Sequence, residues 1–239
     1  MAVTIADAQL YRYRLPLTAS LPVGDHTLTE RRGLLLHVTG AGGEDGWGEV
    51  APLPGFSRES LAEATSHGRR LARTLSGTEL PDSGLDALLR TLPGDDLPPS
   101  VRFAGESALV ELWAIARETS VVDVLGGDAE TVALNALVTN DCSNLQAEAK
   151  RLRQAGYRAV KLKVGRRTVE ADAARVRALH REGGADVSLR LDANRAWTVE
   201  EAAAFADALG DLSLDYVEEP LSDPAYRDVD RWILSRCTR

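Results

Sequence analysis

The chain has 239 residues, 44% hydrophobic and 27% charged, with 28 Lys+Arg against 36 Asp+Glu for a net charge of −8. That balance excludes a disordered chain, and an acidic protein with no basic block is not a phosphate-tracking nucleic-acid binder. No apolar run approaches the ~20 residues that span a bilayer, so no membrane partner is expected, and MAVTIADAQLYRYRL, broken by Asp7, reads as a first strand of a cytoplasmic protein rather than a signal peptide.

From Thr4 to Val50 the pattern is β-like. TIADAQLYRYRLPL and RRGLLLHVTG are separated by the turn signal PVGD at 22–25, and a second turn, GAGGEDG at 40–46, leads into GWGEV. APLPGFSRES at 51–60 ends strand character. Ser60 with Glu63 then forms a capping box for a helix to about Leu75, stopped at Gly77. TLPGDDLPPS at 91–100 reads as a loop before a helix over about 105–116. Residues 1–125 are therefore predicted to form an α+β domain, a meander followed by helices.

After the helix stop Gly126-Gly127 the rhythm becomes strand–helix–strand. Strands are predicted at 132–138, 159–165, 187–194 and 214–220. Helices follow from Asn144, from Thr168 and from the Thr198/Glu201 cap. Val169, Ala173, Val176 and Leu179 repeat at helical spacing on the second of these helices. Strands separated by helices pair in parallel with right-handed crossovers, so residues 126–239 form a second, α/β domain.

The basic residues are almost all Arg, and the lysines are Lys150, Lys161 and Lys163. A guanidinium stays protonated, whereas a desolvated ammonium can lose its proton and act as a base. KLKVG at 161–165 is thus either a chance cluster or a site that needs amines. Residues two apart on a strand share a face, so Lys161 and Lys163 project together, as do Arg190 and Asp192, and Tyr216 and Glu218. Taken singly, Asp192 and Glu218 could be strand-end acids. Together with the lysines, one βα unit apart, they suggest a catalytic rim with hard-oxygen ligands for Mg²⁺. His26, His37, His67 and His180 show no metal-ligand spacing, and Cys142 and Cys237 are too far apart to suggest a disulfide framework. Trp47, just before the 51–60 stretch, and Phe56, within it, could line a pocket or serve the core or hairpin.

GYRAVKLKVG, LRLDANRAW and DYVEEPL, in that order and spacing, resemble the barrel motifs of the enolase superfamily in its muconate-lactonizing branch. RRGLLLHV and GWGEVAPLPGFS, with LRLDANRAW, resemble most the o-succinylbenzoate synthase family of menaquinone biosynthesis. The resemblance covers residues ~4–222. It implies an enolase-like fold, with an N-terminal capping domain followed by a (β/α) barrel. It also implies a dehydratase that removes the α-proton of a succinyl-bearing cyclohexadiene carboxylate and then loses hydroxide. Lys163 matches the general base and Lys161 its companion. Asp192 and Glu218 match Mg²⁺ ligands, the ion holding the substrate carboxylate and stabilising the developing enediolate. Arg190 and Asn194 match supporting positions. Loops around Leu15–Arg32 and Pro52–Phe56 would close over the substrate, with Pro54 and Phe56 in contact with it. N-acylamino-acid racemisation uses the same base, metal and enediolate and is the nearest alternative. A non-catalytic remnant is the alternative of another class.

The family pattern continues with a third acidic ligand and a further lysine on later strands, whereas RDVDRWILSRCTR at 227–239 carries no such pattern. A complete barrel takes ~250 residues, so about half a barrel, four βα units, is expected here. Open edges and an uncovered apolar interior would then favour a homo-oligomer and weak turnover of the chain by itself.

Overall fold

A computed structural model describes residues 3–23, 26–94, 96–128, 131–139, 142–184 and 186–222. The chain divides into two compact units, Met1–Glu130 and Thr131–Arg239. The 227–239 segment and Cys237 lie outside the described residues.

The first unit opens with β1 (Val3–Val23), β2 (His26–Gly40) and β3 (Asp45–Val50). Then come α1 (Leu61–Leu75), β4 (Glu79–Leu80), α2 (Leu85–Leu89), α3 (Pro99–Ile115) and α4 (Val121–Val124). The strands form an antiparallel sheet in the order β3-β2-β1-β4. On β2 the period-2 alternation buries Leu34, Leu36 and Val38, which join Ile5, Leu71, Leu75, Leu109 and Leu112 in one core. Each such leucine contributes roughly 1.5–3 kcal/mol by leaving water. Helix α3 lies against β3 so closely that a Cβ at Gly46 or Gly48 would meet the carbonyl oxygens of Ala108 or Ala104 at 2.1 and 1.9 Å. The capping box forms as expected, with Glu63 N–H donating to Ser60 Oγ at 3.2 Å and Ser60 N–H to Glu63 Oε2 at 2.8 Å.

Two expectations are corrected here. The helix expected over 105–116 starts at Pro99, inside the stretch read as loop, because proline at the first helical position gives up no needed N–H and its fixed φ suits the helix. Leu15–Arg32 is a paired hairpin rather than loops. Leu15 faces Arg31, and pairing continues from Leu21 opposite Leu28 to Val23 opposite His26, with a register shift between Pro16 and Leu21.

The second unit carries β5 (Asn135–Val138), α5 (Leu145–Gln154), β6 (Ala159–Lys163), α6 (Val169–Gly183), β7 (Ser188–Asp192), α7 (Val199–Leu209) and β8 (Tyr216–Glu218). Its parallel sheet runs β5-β6-β7-β8, the arrangement of half a (β/α) barrel. Asn144, Thr168 and Thr198 cap the three helices through their side chains. Val160, Leu162, Leu189, Leu191 and Val217 pack with Leu152, Val176, Leu179 and Phe205 in a single core. The first strand starts three residues later than expected, and Val132 and Leu134 are exposed.

The expected apolar interior is also corrected. The residues alternating with that core are Leu137, Lys161, Lys163, Arg190, Asp192, Tyr216 and Glu218, a mostly polar set. Among the described residues no helix is long and apolar enough to cross a membrane.

Candidate active site

The β6-β7-β8 register sets Lys163 beside Asp192 and Asp192 beside Glu218 at the C-terminal ends of three neighbouring strands. One step back lie Lys161, Arg190 and Tyr216. Period-2 alternation therefore delivers the two lysines and two carboxylates to one surface.

The side chains interlock. Lys163 Nζ donates to Asp192 Oδ2 and to Asn194 Oδ1, each at 2.7 Å. Lys161 Nζ reaches Glu218 Oε2 at 2.6 Å and Asp192 Oδ2 at 3.0 Å. Asp192, only 2% exposed, is the hub, and its Oδ1 also accepts the Asn194 N–H at 3.1 Å. Burial alone would raise the Asp192 carboxyl, but the two ammoniums outweigh it and hold the group below the ordinary carboxylate range. Burial likewise pulls Lys161 down, and its hydrogen bonds to Glu218 and Asp192 outweigh that, leaving it above the usual lysine value. The two lysines do not simply face each other as like charges, because one Asp192 oxygen bonds both.

The backbone past these strands is strained where it turns. Asn194, Arg195 and Glu219 have φ of 49°, 60° and 40°, a region that costs energy for non-glycine residues and recurs at functional sites. The turns are stitched together: Ala193 N–H donates to Glu218 C=O at 3.2 Å, Arg195 N–H to Glu219 C=O at 2.6 Å and Trp197 N–H to Pro220 C=O at 3.1 Å. Asn194 belongs here, since asparagine tolerates the left-handed region while its amide oxygen serves Lys163.

Arg190 is on the same face but is turned to other partners, Asp215 at 2.7 Å and Asn135 at 3.2 Å. Its guanidinium also lies 5.4 Å from the Tyr216 ring centroid. Pro54 and Phe56 belong to the first unit. There, Phe56 and Ser57 N–H groups donate to Leu53 C=O in a tight turn, Phe56 is half-buried, and Pro54 lines a cavity of about 580 Å³ with Thr27, Arg31, Arg32 and Arg58. Arg31 donates to the carbonyls of Ala51 and Pro52 at 2.9 and 3.4 Å, tying the hairpin to that turn.

Asp192 and Glu218 fit a hard divalent cation as two carboxylates one strand apart. Among the described residues no group of three acidic, His or Cys side chains could hold a metal. Sequence reasoning missed Asp172 and Arg175, whose side chains run to the backbone of Lys163 and Gly165. The signal was present: Asp172 falls on the apolar stripe of Val169, Ala173, Val176 and Leu179, and is fully buried.

Two family models match the chain, "MenC, N-terminal domain" over residues 5–112 and "Enolase C-terminal domain-like" over 144–235. The o-succinylbenzoate synthase of Pasteurella multocida is 30% identical over 224 residues, 92% of this chain and 60% of that protein. The solved dipeptide epimerase from Cytophaga hutchinsonii, complexed with Mg and the dipeptide D-Ala-L-Val, superposes with a TM-score of 0.77 at 25% identity over 99% of this chain and 64% of that one. The muconate lactonizing enzyme from Pseudomonas fluorescens, complexed with muconolactone, gives 0.79 at 25% identity over 99% and 65%. The chain thus spans at most about three fifths of the length of the curated relatives it matches. With both models and the shared architecture in agreement, the chain belongs to the enolase superfamily, in its muconate-lactonizing branch.

Proposed function

We propose that the protein acts as an o-succinylbenzoate synthase-like dehydratase, with Lys163 as the base that takes the substrate α-proton. The observation that carries the base assignment is the place of Lys163, level with Asp192 and Glu218 at the ends of three neighbouring parallel strands, where removal of the ammonium proton leaves an amine facing the same surface as both carboxylates. The match of residues 5–112 to the MenC N-terminal model favours the synthase over its relatives.

Lys163 forms the N–H bond as the C–H bond breaks, and that proton is placed to return to the departing hydroxyl, which leaves as water. Lys161, held charged between Glu218 and Asp192, supplies a fixed positive charge beside the developing enolate. Mg²⁺, held by Asp192 and Glu218, would supply Lewis-acid polarisation of the substrate carboxylate. Asn194 orients the Lys163 ammonium, and Arg190 supports the next layer through Asp215 and Asn135. Substrate contact is assigned to Pro54 and Phe56 on the family resemblance.

Incubation with Mg²⁺ and the hydroxylated cyclohexadiene carboxylate, followed by the ultraviolet absorbance of the aromatic product, tests this reading. Product that disappears in Lys163→Arg supports it. A second reading, epimerisation or N-acylamino-acid racemisation, is favoured by the match to the Cytophaga dipeptide epimerase. Inversion of an N-acyl amino acid or dipeptide without dehydration would move the assignment there. Neither reaction in the chain would favour the non-catalytic remnant.

A further inference from the structure

Below the lysine cluster, on the helix side of the sheet, a buried aspartate pairs with a largely buried arginine where an apolar contact is the rule. Asp172 is 0% exposed. Its Oδ2 accepts the Gly165 N–H at 2.7 Å, and its Oδ1 lies 3.3 Å from Arg175 Nη1. The same Arg175 nitrogen donates to the carbonyl oxygen of Lys163 at 3.1 Å, and Arg175 Nη2 donates to the carbonyl of Thr139 at 3.1 Å, just past the end of β5. A single pair from α6 therefore holds the main chain where it leaves β6, on both sides of Val164, and joins it to the end of the neighbouring strand.

The place where it acts is narrow. Gly165 has φ of +85°, and a Cβ there would lie 2.5 Å from the Ala196 Cβ and 3.1 Å from the Ala193 carbonyl oxygen. The chain leaving Lys163 must thus turn sharply against the loop that carries Asn194. Val164 N–H donates to the Asp192 carbonyl at 3.0 Å on the sheet side, which leaves the Lys163 carbonyl and the Gly165 N–H to the α6 pair. A buried ion pair gives little net stability compared with apolar packing, so stability alone is a weak reason for it. Fixing the direction of one side chain is a stronger one.

We propose that Asp172 and Arg175 are positioning residues for Lys163: by clamping the carbonyl of Lys163 and the N–H of Gly165, they aim its ammonium at Asp192 and Asn194. The inference rests on the reading of Lys163 as the base, but its test does not use turnover. The chain has only three lysines, and Lys150 is exposed on α5, so it serves as an internal reference for amine labelling with acetic anhydride read by mass spectrometry.

In the unaltered chain Lys163 should label more slowly than Lys150. In Arg175→Met the ratio of Lys163 to Lys150 labelling should rise several-fold with the far-ultraviolet circular dichroism unchanged, in Arg175→Lys it should return part of the way, and in Asp172→Asn the Gly165 amide should exchange with deuterium faster. Should Arg175→Met fail to fold, Arg175→Lys and Asp172→Asn decide. Folded variants that keep the original labelling ratio and Gly165 exchange overturn the proposal. Loss of fold in all three overturns it too, since the pair would then belong to the fold alone. If Lys163→Arg retained α-proton exchange, the base assignment would fall while the labelling result would stand.

Discussion

Lys161 Nζ lies 2.6 Å from Glu218 Oε2 although the two residues sit on strands separated by β7. The ammonium spans the middle strand, touching Asp192 at 3.0 Å on the way. Two ammoniums and two carboxylates thus neutralise one another in a single cluster. The arrangement keeps a nearly buried Asp192 charged without a desolvation cost that nothing offsets.

Mg²⁺ should bind this cluster through Asp192 and Glu218. Isothermal titration of the chain and of Glu218→Gln compares them directly. Losing a direct ligand should weaken binding by at least the ~10-fold that supporting residues of metal sites cost. Equal affinity in the two would remove Glu218 from the ligand set.

Lys163→Arg keeps the positive charge beside Asp192 and removes the titratable amine. Substrate α-proton exchange into D₂O, followed by proton NMR, should fall by at least ~10²-fold, the usual contribution of a general base. The circular dichroism should be unaltered, because the positive charge beside Asp192 is kept. Exchange at the original rate would place the base elsewhere.

The local elements were legible because their signals are local. Ser60/Glu63 and Thr198/Glu201 close reciprocal hydrogen bonds within four residues, and Asn144 and Thr168 each cap a following N–H. That the candidate residues share a face was legible through period 2, which places Lys161 with Lys163 whatever the neighbouring strand does. Their pairing was not. That Lys161 meets Glu218 while Lys163 meets Asn194 depends on the β6-β7-β8 register and on left-handed turns after the strands, both of which are tertiary facts. The turn at PVGD was legible, but loops were expected around Leu15–Arg32, where pairing runs on through Pro16 and resumes at Leu21; that continuation is set by the partner strand. Pro98-Pro99 was read as a loop although proline is favoured at a helix start.

Trp197 closes the LRLDANRAW segment and packs on Phe205 of α7 with ring centroids 4.4 Å apart. Phe205 is 1% exposed, so Phe205→Ala leaves a cavity that its neighbours fill only in part. Urea unfolding monitored by circular dichroism should show a loss of ~3–5 kcal/mol, the range for large buried aromatics. A loss under ~1 kcal/mol would mean that the ring is not part of the core.

Tyr13 gives a pH dependence with a definite sign. Its hydroxyl donates to Glu49 across the sheet. Burial first, then the hydrogen bond and charge of Glu49, push its pKa from 10.0 to about 12, against a smaller opposing effect of Arg31. A raised folded value means that the protonated form is favoured by folding. The stabilisation is therefore fully present below the unfolded value near 10 and is lost as pH rises through about 12. Ultraviolet titration of tyrosinate should show a step about two pH units late in the folded chain that Tyr13→Phe removes. In Glu49→Gln that late step should move back toward 10, though not all the way, because burial remains. The absence of any late step that Tyr13→Phe removes would show that Tyr13 is neither buried nor bonded to Glu49 in this way.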